Sequence, residues 1–492
     1  MATQIGKDQV SIQVLTETGA QYSQVVGFVY VFNLIVGTGA LTMPAAFKEA
    51  GWLLSLLAII LLAFMSFMTL TFVTETMAIS NARLRFEQVL AQSSVKEEHT
   101  EASINVDERQ PLLKPNVAYS DVIPSFEITQ RVEMGTMAGM FFNRVGMVLF
   151  HLCIIIYLYG DLAIYAAAVP KSLRDVVCTF GASSNQTLSD DDRCWPDVSV
   201  NRMNAYRIFV AVFVLLLGPF TFFNVQKTKY LQILTSVARW TAFLMMITLT
   251  CIRLAEGKGQ GHPVVADIAG VPNLFGVCVY SFMCHHSLPS LITPIRNKSH
   301  LLPSLAGNYS LILVFYLVLS FTAVFAFSDI QDLYTLNFRP HGTEPEPVTT
   351  EVPIQYFLVL FPVFTLSTSF PIVSITLRNN LAAMLTPRQG HLPWYVPKVI
   401  CPLLVLIPPV AVAIGTNKVE VLVGITGSYA GAGIQYVIPA VLVLLARRDV
   451  LAVGGGYLHR SPFSHRAWVI MTLIWAGICV TFVTVNYFIS NL

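Results

Sequence analysis

The feature that most constrains this chain is a series of long apolar runs, each long enough to cross a lipid bilayer. A membrane-spanning helix needs about 20 consecutive apolar residues. Of the 492 residues, 54% are hydrophobic and only 12% are charged, whereas soluble domains carry about 25% charged residues. The runs predict eleven spans, approximately at 25–50, 52–77, 146–170, 206–224, 231–253, 271–295, 305–327, 353–376, 397–415, 419–446 and 467–489.

The distribution of charge predicts an orientation and excludes some functions. Residues 1–24 are polar and contain no apolar core, so the sequence predicts no signal peptide. With the N-terminus in the cytosol, more lysine and arginine falls on the cytosolic side, as polytopic membrane proteins favour. The formal net charge of +2 gives no reason to expect a nucleic-acid partner. The sequence contains no nucleophile–base constellation, phosphate loop or redox motif, so we predict that the chain is not an enzyme.

Two segments outside the apolar runs are long enough to carry signals of their own. In the predicted orientation loop 171–205 is lumenal or extracellular, and it contains Cys178, Cys194 and the glycosylation acceptor Asn185. Disulfides and glycans form in that compartment. We therefore expect a Cys178–Cys194 disulfide and a glycan on Asn185. The other long segment, 78–145, is cytosolic in the same orientation.

The cytosolic segment contains three different patterns. Its polar stretch 93–116 predicts disorder, and the spaced apolar residues of 126–146 predict a helix along the membrane surface. Within the polar stretch, Glu108 lies four positions before the pair Leu112 and Leu113. This spacing resembles the acidic dileucine signal that clathrin adaptors bind. It predicts a lysosomal or endosomal membrane protein, with the plasma membrane as the alternative address.

Two of the predicted spans are interrupted by polar or flexible residues followed by proline. The first contains Gly37, Thr38 and Gly39, and the sixth, 271–295, contains Ser281 and two histidines. Glycine costs about 1 kcal/mol and proline about 3 kcal/mol in a helix interior. Non-helical backbone is tolerated at membrane depth only where it faces protein or a water-filled cavity. Close helix packing is one explanation of the glycines, and a binding site is the other.

Interruptions at matching positions are typical of transporters built from two inverted repeats. The count of spans then predicts an all-α polytopic membrane protein with repeats 25–255 and 271–446 and an eleventh helix at 467–489. The N-terminus of a half-helix presents free N–H groups and a partial positive charge to an anion. We therefore expect the Gly-Thr-Gly run to contact a substrate carboxylate through its backbone, with Ser281 as a second contact.

Three motifs resemble those of the amino acid/auxin permease superfamily, which includes sodium-coupled neutral amino acid transporters. "NLIVGTGALTMP" resembles its first-helix motif, "VYSFMCHHSLPSL" its sixth-helix motif and "TSFPIVSITLR" its eighth-helix motif. Longer stretches, such as "YLYGDLAIYAAAVP" and "LVGITGSYAGAGIQYVIPA", resemble the transmembrane protein 104 branch of that superfamily. The resemblance covers most of the membrane core. It implies a LeuT-type fold and secondary active transport of an amino acid or similar small zwitterion.

The same resemblance implies a site for a coupling ion. In LeuT-type transporters a sodium ion lies between the unwound first helix and hydroxyls of the eighth. Carried over by motif, the ligands here are backbone carbonyls near Leu34 and Val36 and the hydroxyls of Thr368 and Ser369. Ser369 stands where the superfamily pattern has threonine, and both residues supply the oxygen that sodium requires.

Ionisable side chains inside the spans suggest protons as the alternative coupling ion. Asp161 lies in the middle of the third span, where a carboxylate is expensive and functional by default. Arg239, inside the fifth span, is the basic residue deep enough to pair with it, so an ion pair and a proton carrier both remain open. Glu75 lies near the cytosolic end of the second span and is expected to reach the membrane interface.

Two adjacent histidines in the sixth span could be taken for metal ligands. His285 and His286 diverge by about 100° on a helix, so they can hardly share one ion. We therefore expect His285 to gate, hydrogen-bond or sense pH, and we expect no metal site or other cofactor.

Two functions of different classes use the same predicted pocket. The first is a transporter that works by alternating access, coupled to sodium, to protons or to no ion. The second is a membrane receptor or scaffold, such as a nutrient sensor, that binds the ligand without net transport. The sequence alone does not separate them.

Overall fold

The computed structural model describes residues 21–101, 126–178, 189–222, 229–340, 347–385, 393–450 and 458–490. These residues form helices and connecting turns, without a β-strand other than two isolated bridges. The α-helices are α1 Gln24–Ile35, α2 Thr38–Ala50, α3 Trp52–Glu101, α4 Met134–Phe141, α5 Arg144–Val177, α6 Arg202–Leu217, α7 Lys229–Ala255, α8 Val271–Ser281, α9 Leu288–Ile292, α10 Leu301–Ala326, α11 Val352–Leu385, α12 Cys401–Gly415, α13 Val419–Thr426, α14 Ile438–Val450 and α15 Arg466–Ser490.

The predicted spans reappear as helical segments, and two of them, the first and the sixth, are broken. Within the described residues nine helices are long and apolar enough to cross a membrane, and a tenth span results if α1 and α2 are counted as one. The predicted span 271–295 is divided into the short helices α8 and α9, with six non-α-helical residues between them. The chain is an all-α polytopic membrane protein. The inverted-repeat arrangement and its boundaries remain predictions.

Both interrupted spans are therefore broken helices. The axes of α1 and α2 differ by 54°, and Val36 and Gly37 between them leave the helical conformation, Gly37 with φ −130° and ψ −140°. In the sixth span α8 ends at Ser281, and α9 begins only at Leu288. The glycines, the polar residues and the prolines that predicted an interruption thus coincide with a real loss of helical backbone at both places.

The helix of the second span is longer than its apolar run predicts. α3 continues to Glu101, so the predicted disorder of 93–116 is wrong for its first nine residues; the remainder lies outside the described part of the chain. Asn81 attaches the start of this extension to the segment that precedes α4, because its side chain accepts hydrogen bonds from the backbone N–H groups of Thr129 (3.1 Å) and Gln130 (2.7 Å). The predicted surface helix is confined to α4, which buries its residues Met134, Met137 and Ala138 against the protein.

A buried ion pair joins two distant helices on the side of the protein where α3 leaves the membrane. The Glu75 carboxylate is fully buried and accepts two hydrogen bonds from Arg447, at 2.9 and 2.6 Å. It also accepts a bond from the backbone N–H of Ser461 (3.1 Å). The expectation that Glu75 would reach the membrane interface is wrong, since Arg447 of α14 comes to it instead. The pair ties α3 to α14 and to the segment that precedes α15.

Replacing Glu75 with glutamine should lower the free energy of unfolding by about 3–5 kcal/mol, because Arg447 would keep a buried charge without its counter-charge. Chemical unfolding of the purified protein in detergent measures this. Glu87→Gln is the matched control: its pair with Arg83 is exposed, with 40% of the Arg83 side chain and 55% of the Glu87 side chain accessible, and its loss should cost less than about 1 kcal/mol. Equal losses in both variants would contradict the structural role of the buried pair.

Candidate functional site

The two broken spans meet in the interior of the protein. Gly39, at the start of α2, packs directly on Ser281, at the end of α8. A Cβ atom added to Gly39 would lie 2.7 Å from the Ser281 Cα atom. At the far ends of the same helices, a Cβ added to Gly270 would lie 2.5 Å from the backbone nitrogen of Ala50. α2 and α8 therefore run antiparallel in close contact along their lengths, and the two breaks lie side by side.

A second set of glycines holds α8 against α13. A Cβ atom at Gly276 would lie 2.6 Å from the carbonyl carbon of Gly424, and one at Gly427 would lie 2.8 Å from the carbonyl carbon of Gly276. Small residues allow helix backbones to approach this closely inside a membrane. The helix after α13 widens into two π-helical segments, Gly427–Gly431 and Gly433–Val437. Such widened turns are frequent at functional sites.

The three residues of the Gly-Thr-Gly run have different surroundings. Gly39 is buried by Ser281, as close helix packing requires, and Thr38 is 4% exposed. Gly37 differs, because no atom of another part of the described chain lies within 4 Å of a Cβ atom placed on it. The N-cap residue of α2 is Gly37, and no side-chain hydrogen bond caps this end of the helix. The free N–H groups of the first turn of α2 therefore lie beside an open space, and the positive end of the helix dipole is directed toward that space.

The carbonyl groups freed by the breaks find donors on neighbouring helices. The buried Tyr316 hydroxyl of α10 lies 3.1 Å from the Ile35 carbonyl and 3.0 Å from the Ser281 carbonyl, so it can donate to either. Arg239 of α7 donates to the Asn33 carbonyl. Tyr316 thus bridges both broken spans. Tyr316 was not among the residues predicted from the sequence; the available signal was a tyrosine hydroxyl inside an apolar span, which needs a partner when buried.

Asp161 is a buried carboxylate, and no cationic side chain of the described residues forms an ion pair with it. Its side chain is 6% exposed, and within the same part of the chain its Oδ1 atom has no hydrogen-bond partner. The hydroxyl of Tyr280, the residue before Ser281, interacts with the carboxylate. Arg239 does not form an ion pair with it, because the guanidinium is directed to the first break instead. Asp161 therefore lies beside the break that follows α8, with acceptor capacity to spare.

The histidines of the second break point to different helices. His285 is fully buried, and its Nε2 atom lies 3.0 Å from the Thr69 hydroxyl of α3. The ring of His286 lies 5.5 Å from the ring of Tyr157 on α5. The Nδ1 atoms of both histidines find no partner in the described ranges. His285 thus links the break to α3, and His286 faces the helix that carries Asp161.

The hydroxyls predicted to bind sodium make hydrogen bonds within their own helix, α11. Those of Thr368 and Ser369 both donate to the carbonyl of Thr365, at 2.9 and 3.1 Å. On the first span, Leu34 is 36% exposed and Val36 is fully buried. Each hydroxyl retains lone pairs that could accept a cation. The ion site remains a prediction.

Of the signals outside the membrane core, the structure describes one. Cys178 and Cys194 form a disulfide with a Cα–Cα distance of 4.5 Å, which confirms the predicted pairing. The glycosylation acceptor Asn185 lies outside the described residues, and so does the dileucine motif of Glu108, Leu112 and Leu113.

Replacing Tyr316 with phenylalanine should destabilise the protein by about 1–3 kcal/mol, since it removes the one hydroxyl donor that the buried carbonyls at the two breaks share. Thermal unfolding in detergent measures the loss. Tyr159→Phe is the matched control, because that hydroxyl donates to the single carbonyl of Leu404 (2.8 Å) at an exposed position. We expect a smaller change there. A Tyr316→Phe protein as stable as the control would contradict the bridging role.

Comparison with known proteins leads to the same family as the sequence motifs at the two breaks. The family model of transmembrane amino acid transporter proteins matches residues 21–485. The chain is 53% identical to human transmembrane protein 104, over 97% of this chain and 99% of that protein. It is 45% identical to the Drosophila melanogaster homolog, over 96% and 98% of the two chains, and 34% identical to the Dictyostelium discoideum homolog, over 95% and 97%. The chain therefore belongs to the transmembrane amino acid transporter family.

Proposed function

We propose that this protein is a secondary active transporter of an amino acid or a similar small zwitterion. The observation that carries the proposal is the meeting of two broken helices beside an open space and a buried carboxylate. The N-terminus of α2 begins at Gly37, next to that space. Asp161 lies at the other break, and its Oδ1 atom has no partner among the described residues. One site thus offers a positive helix end and a negative side chain, the two partners that a zwitterion requires.

The two charges of such a ligand would be matched separately. Its carboxylate would accept hydrogen bonds from the first N–H groups of α2, where the helix dipole favours an anion. Its ammonium group would donate to the Asp161 carboxylate, whose burial makes an unpaired charge costly.

The first break would be held in shape before the ligand arrives. Arg239 already donates to the carbonyl of Asn33, and the one hydroxyl hydrogen of Tyr316 can be donated to the carbonyl of Ile35 or to that of Ser281. A site that is formed in advance spends less binding free energy on ordering its own groups. The carbonyl of Asn33, and one of the carbonyls of Ile35 and Ser281, therefore already have a donor from the protein.

The breaks also supply hinges for alternating access. Val36 and Gly37 in the first span, and the six residues between α8 and α9 in the sixth, lie outside regular α-helix. α2, α8 and α13 pack through glycines and would move as one unit. This division fits a LeuT-type fold of inverted repeats, 25–255 and 271–446, with α15 as the extra helix. Among the candidate spans that the structure describes, α15 is the least buried.

We propose a coupling ion of one of two kinds. Sodium would bind carbonyl oxygens near Leu34 and Val36 together with the hydroxyls of Thr368 and Ser369, once α11 approaches α1. A proton would bind Asp161, with His285 as a further candidate. Ligand binding is measured first with choline in place of sodium at fixed pH, and then without sodium across a range of pH. Loss of binding in choline indicates sodium, and binding that depends on pH without sodium indicates a proton.

The orientation proposed for the chain places its N-terminus in the cytosol and the disulfide in a lumen or outside the cell. An oxidising compartment favours the Cys178–Cys194 disulfide. Asn185, in the same loop, would carry a glycan. The dileucine motif would then be cytosolic, where a clathrin adaptor could bind it.

Replacing Asp161 with asparagine should abolish the uptake of amino acids and their binding at the two breaks, while the protein remains folded. The asparagine amide keeps the shape of the carboxylate and removes the charge that would pair with the ammonium group. Uptake of radiolabelled proteinogenic L-amino acids into proteoliposomes measures this, with equilibrium binding in parallel.

Asp449→Asn is the control for the transport assay, since Asp449 forms an exposed ion pair with Arg83 at 3.3 Å. We expect it to bind and transport like the unmodified protein. Full activity of the Asp161→Asn protein would contradict the proposed role of Asp161. Binding without uptake by the unmodified protein would favour the receptor function over transport.

Replacing both Leu112 and Leu113 with alanine should move the protein from lysosomal or endosomal membranes to the cell surface, because the adaptor would lose its apolar contact. Surface biotinylation measures the shift. Glu98→Gln is the control, because it changes a charge in the same cytosolic segment and leaves the motif intact. An unchanged distribution in the double variant would contradict the proposed address.

A further inference from the structure

A charged cavity lies at the disulfide-bearing side of the protein, away from the two breaks. Its volume is about 510 Å³. It is surrounded by the outer end of α2, the outer end of α5 and the start of α13, together with the turn that follows α10. Glu49, at its wall, follows Gly39 by ten residues of α2, which corresponds to roughly 15 Å of helix. The cavity is therefore separate from the site at the breaks.

Most of the charges around this cavity pair with one another. Lys171 contacts Asp332 at 2.6 Å. Arg174 contacts Asp175 and Asp190, both at 2.8 Å. A second arginine, that of the first residue of α6, also contacts the Asp175 carboxylate. These pairs tie the loop that carries the disulfide to the ends of α5 and α6. They account for the shape of the wall and leave only a few groups for a ligand.

Two carboxylates of the wall share one amide. The side-chain amide of Asn273 donates to Glu49 (2.9 Å) and to Glu420 (2.6 Å). Among the described residues no ion pair is formed by either glutamate, although Glu420 is only 8% exposed. One amide thus serves two negative groups from α2 and α13. Because a buried charge is costly without a counter-charge, this wall favours a positively charged group.

One guanidinium at the same cavity is incompletely satisfied. Arg339, just after the 3₁₀ helix Tyr334–Phe338, lines the cavity. Its Nε atom is buried and has no hydrogen-bond partner in the part of the chain that the structure describes. A guanidinium matches the planar geometry of a carboxylate and can bind it through two hydrogen bonds. The cavity thus holds an incompletely matched positive group as well as a negative wall.

We infer that this cavity is a second, peripheral binding site for an amino acid zwitterion, with Arg339 binding the carboxylate and Glu420, aided by Glu49, binding the ammonium group. This inference rests on the proposed function, since it takes the same class of substrate. The cavity lies at the outer ends of α2 and α8, whose inner ends form the breaks. A ligand held there is concentrated on the route between that side of the membrane and the central site.

The number of ligands bound per protein tests the inference. Purified full-length protein in nanodiscs is saturated with an equimolar mixture of ¹⁴C-labelled proteinogenic L-amino acids, and bound label is counted by scintillation proximity. We expect two bound molecules per protein. Arg339→Gln and Glu420→Gln should each reduce the number to one, and Asp161→Asn should also leave one. Combining Asp161→Asn with Arg339→Gln should leave none.

Lys418→Gln is the matched control, because Lys418 lines the same cavity but is exposed and is not assigned a contact with the ligand. It should retain two bound molecules. Thermal unfolding confirms that each variant is folded. Because two different lining residues are replaced independently, the test remains valid if one of the two variants does not fold.

One bound molecule, lost in Asp161→Asn and kept in both Arg339→Gln and Glu420→Gln, would overturn the peripheral site and leave the proposed function intact. No binding by the unmodified protein would overturn both. The two failures are therefore distinguishable.

Discussion

The structure depends on how the protein satisfies backbone groups that two membrane helices leave unpaired. In a bilayer each unsatisfied N–H or C=O group costs several kcal/mol, so a broken helix persists only if its neighbours supply partners. Here Tyr316 bridges the carbonyls of Ile35 and Ser281, and Arg239 binds the carbonyl of Asn33. These donors come from α7 and α10, which are otherwise ordinary apolar spans. They convert two interruptions into one stable arrangement.

Glycine packing then determines which parts of the breaks face a ligand. Gly39 and Gly276 are used to bring α2, α8 and α13 together, so the backbone at those positions is occupied by protein. Gly37 is left beside open space. The same packing places Tyr280, the residue before Ser281, at the second break, where its hydroxyl interacts with the Asp161 carboxylate. The tight packing of three half-helices therefore brings the two breaks together, with a free helix end at one and a buried acid at the other.

Local features of the sequence predicted much of the fold, whereas contacts between residues far apart in the chain could not be predicted from the sequence. Long apolar runs predicted the spans, and glycine and proline predicted both breaks, because length, hydropathy and helix propensity are local properties. An ion pair between Arg239 and Asp161 stayed open, and Glu75 was expected at the interface, because depth in a span does not reveal which way a side chain points. The different surroundings of Gly37 and Gly39 depend on where α8 lies. The bridge made by Tyr316 joins positions that are 281 and 35 residues away in the chain.

The central claim is that the space beside Gly37 is the ligand site, and cysteine protection tests it most directly. Gly37→Cys is introduced into a chain whose exposed free cysteine, Cys251, is replaced by serine, and the purified protein is treated with a methanethiosulfonate reagent. We predict modification that a saturating mixture of L-amino acids slows markedly, and no modification of Gly39→Cys in the same background. Equal rates at Gly37→Cys with and without amino acids would contradict the claim.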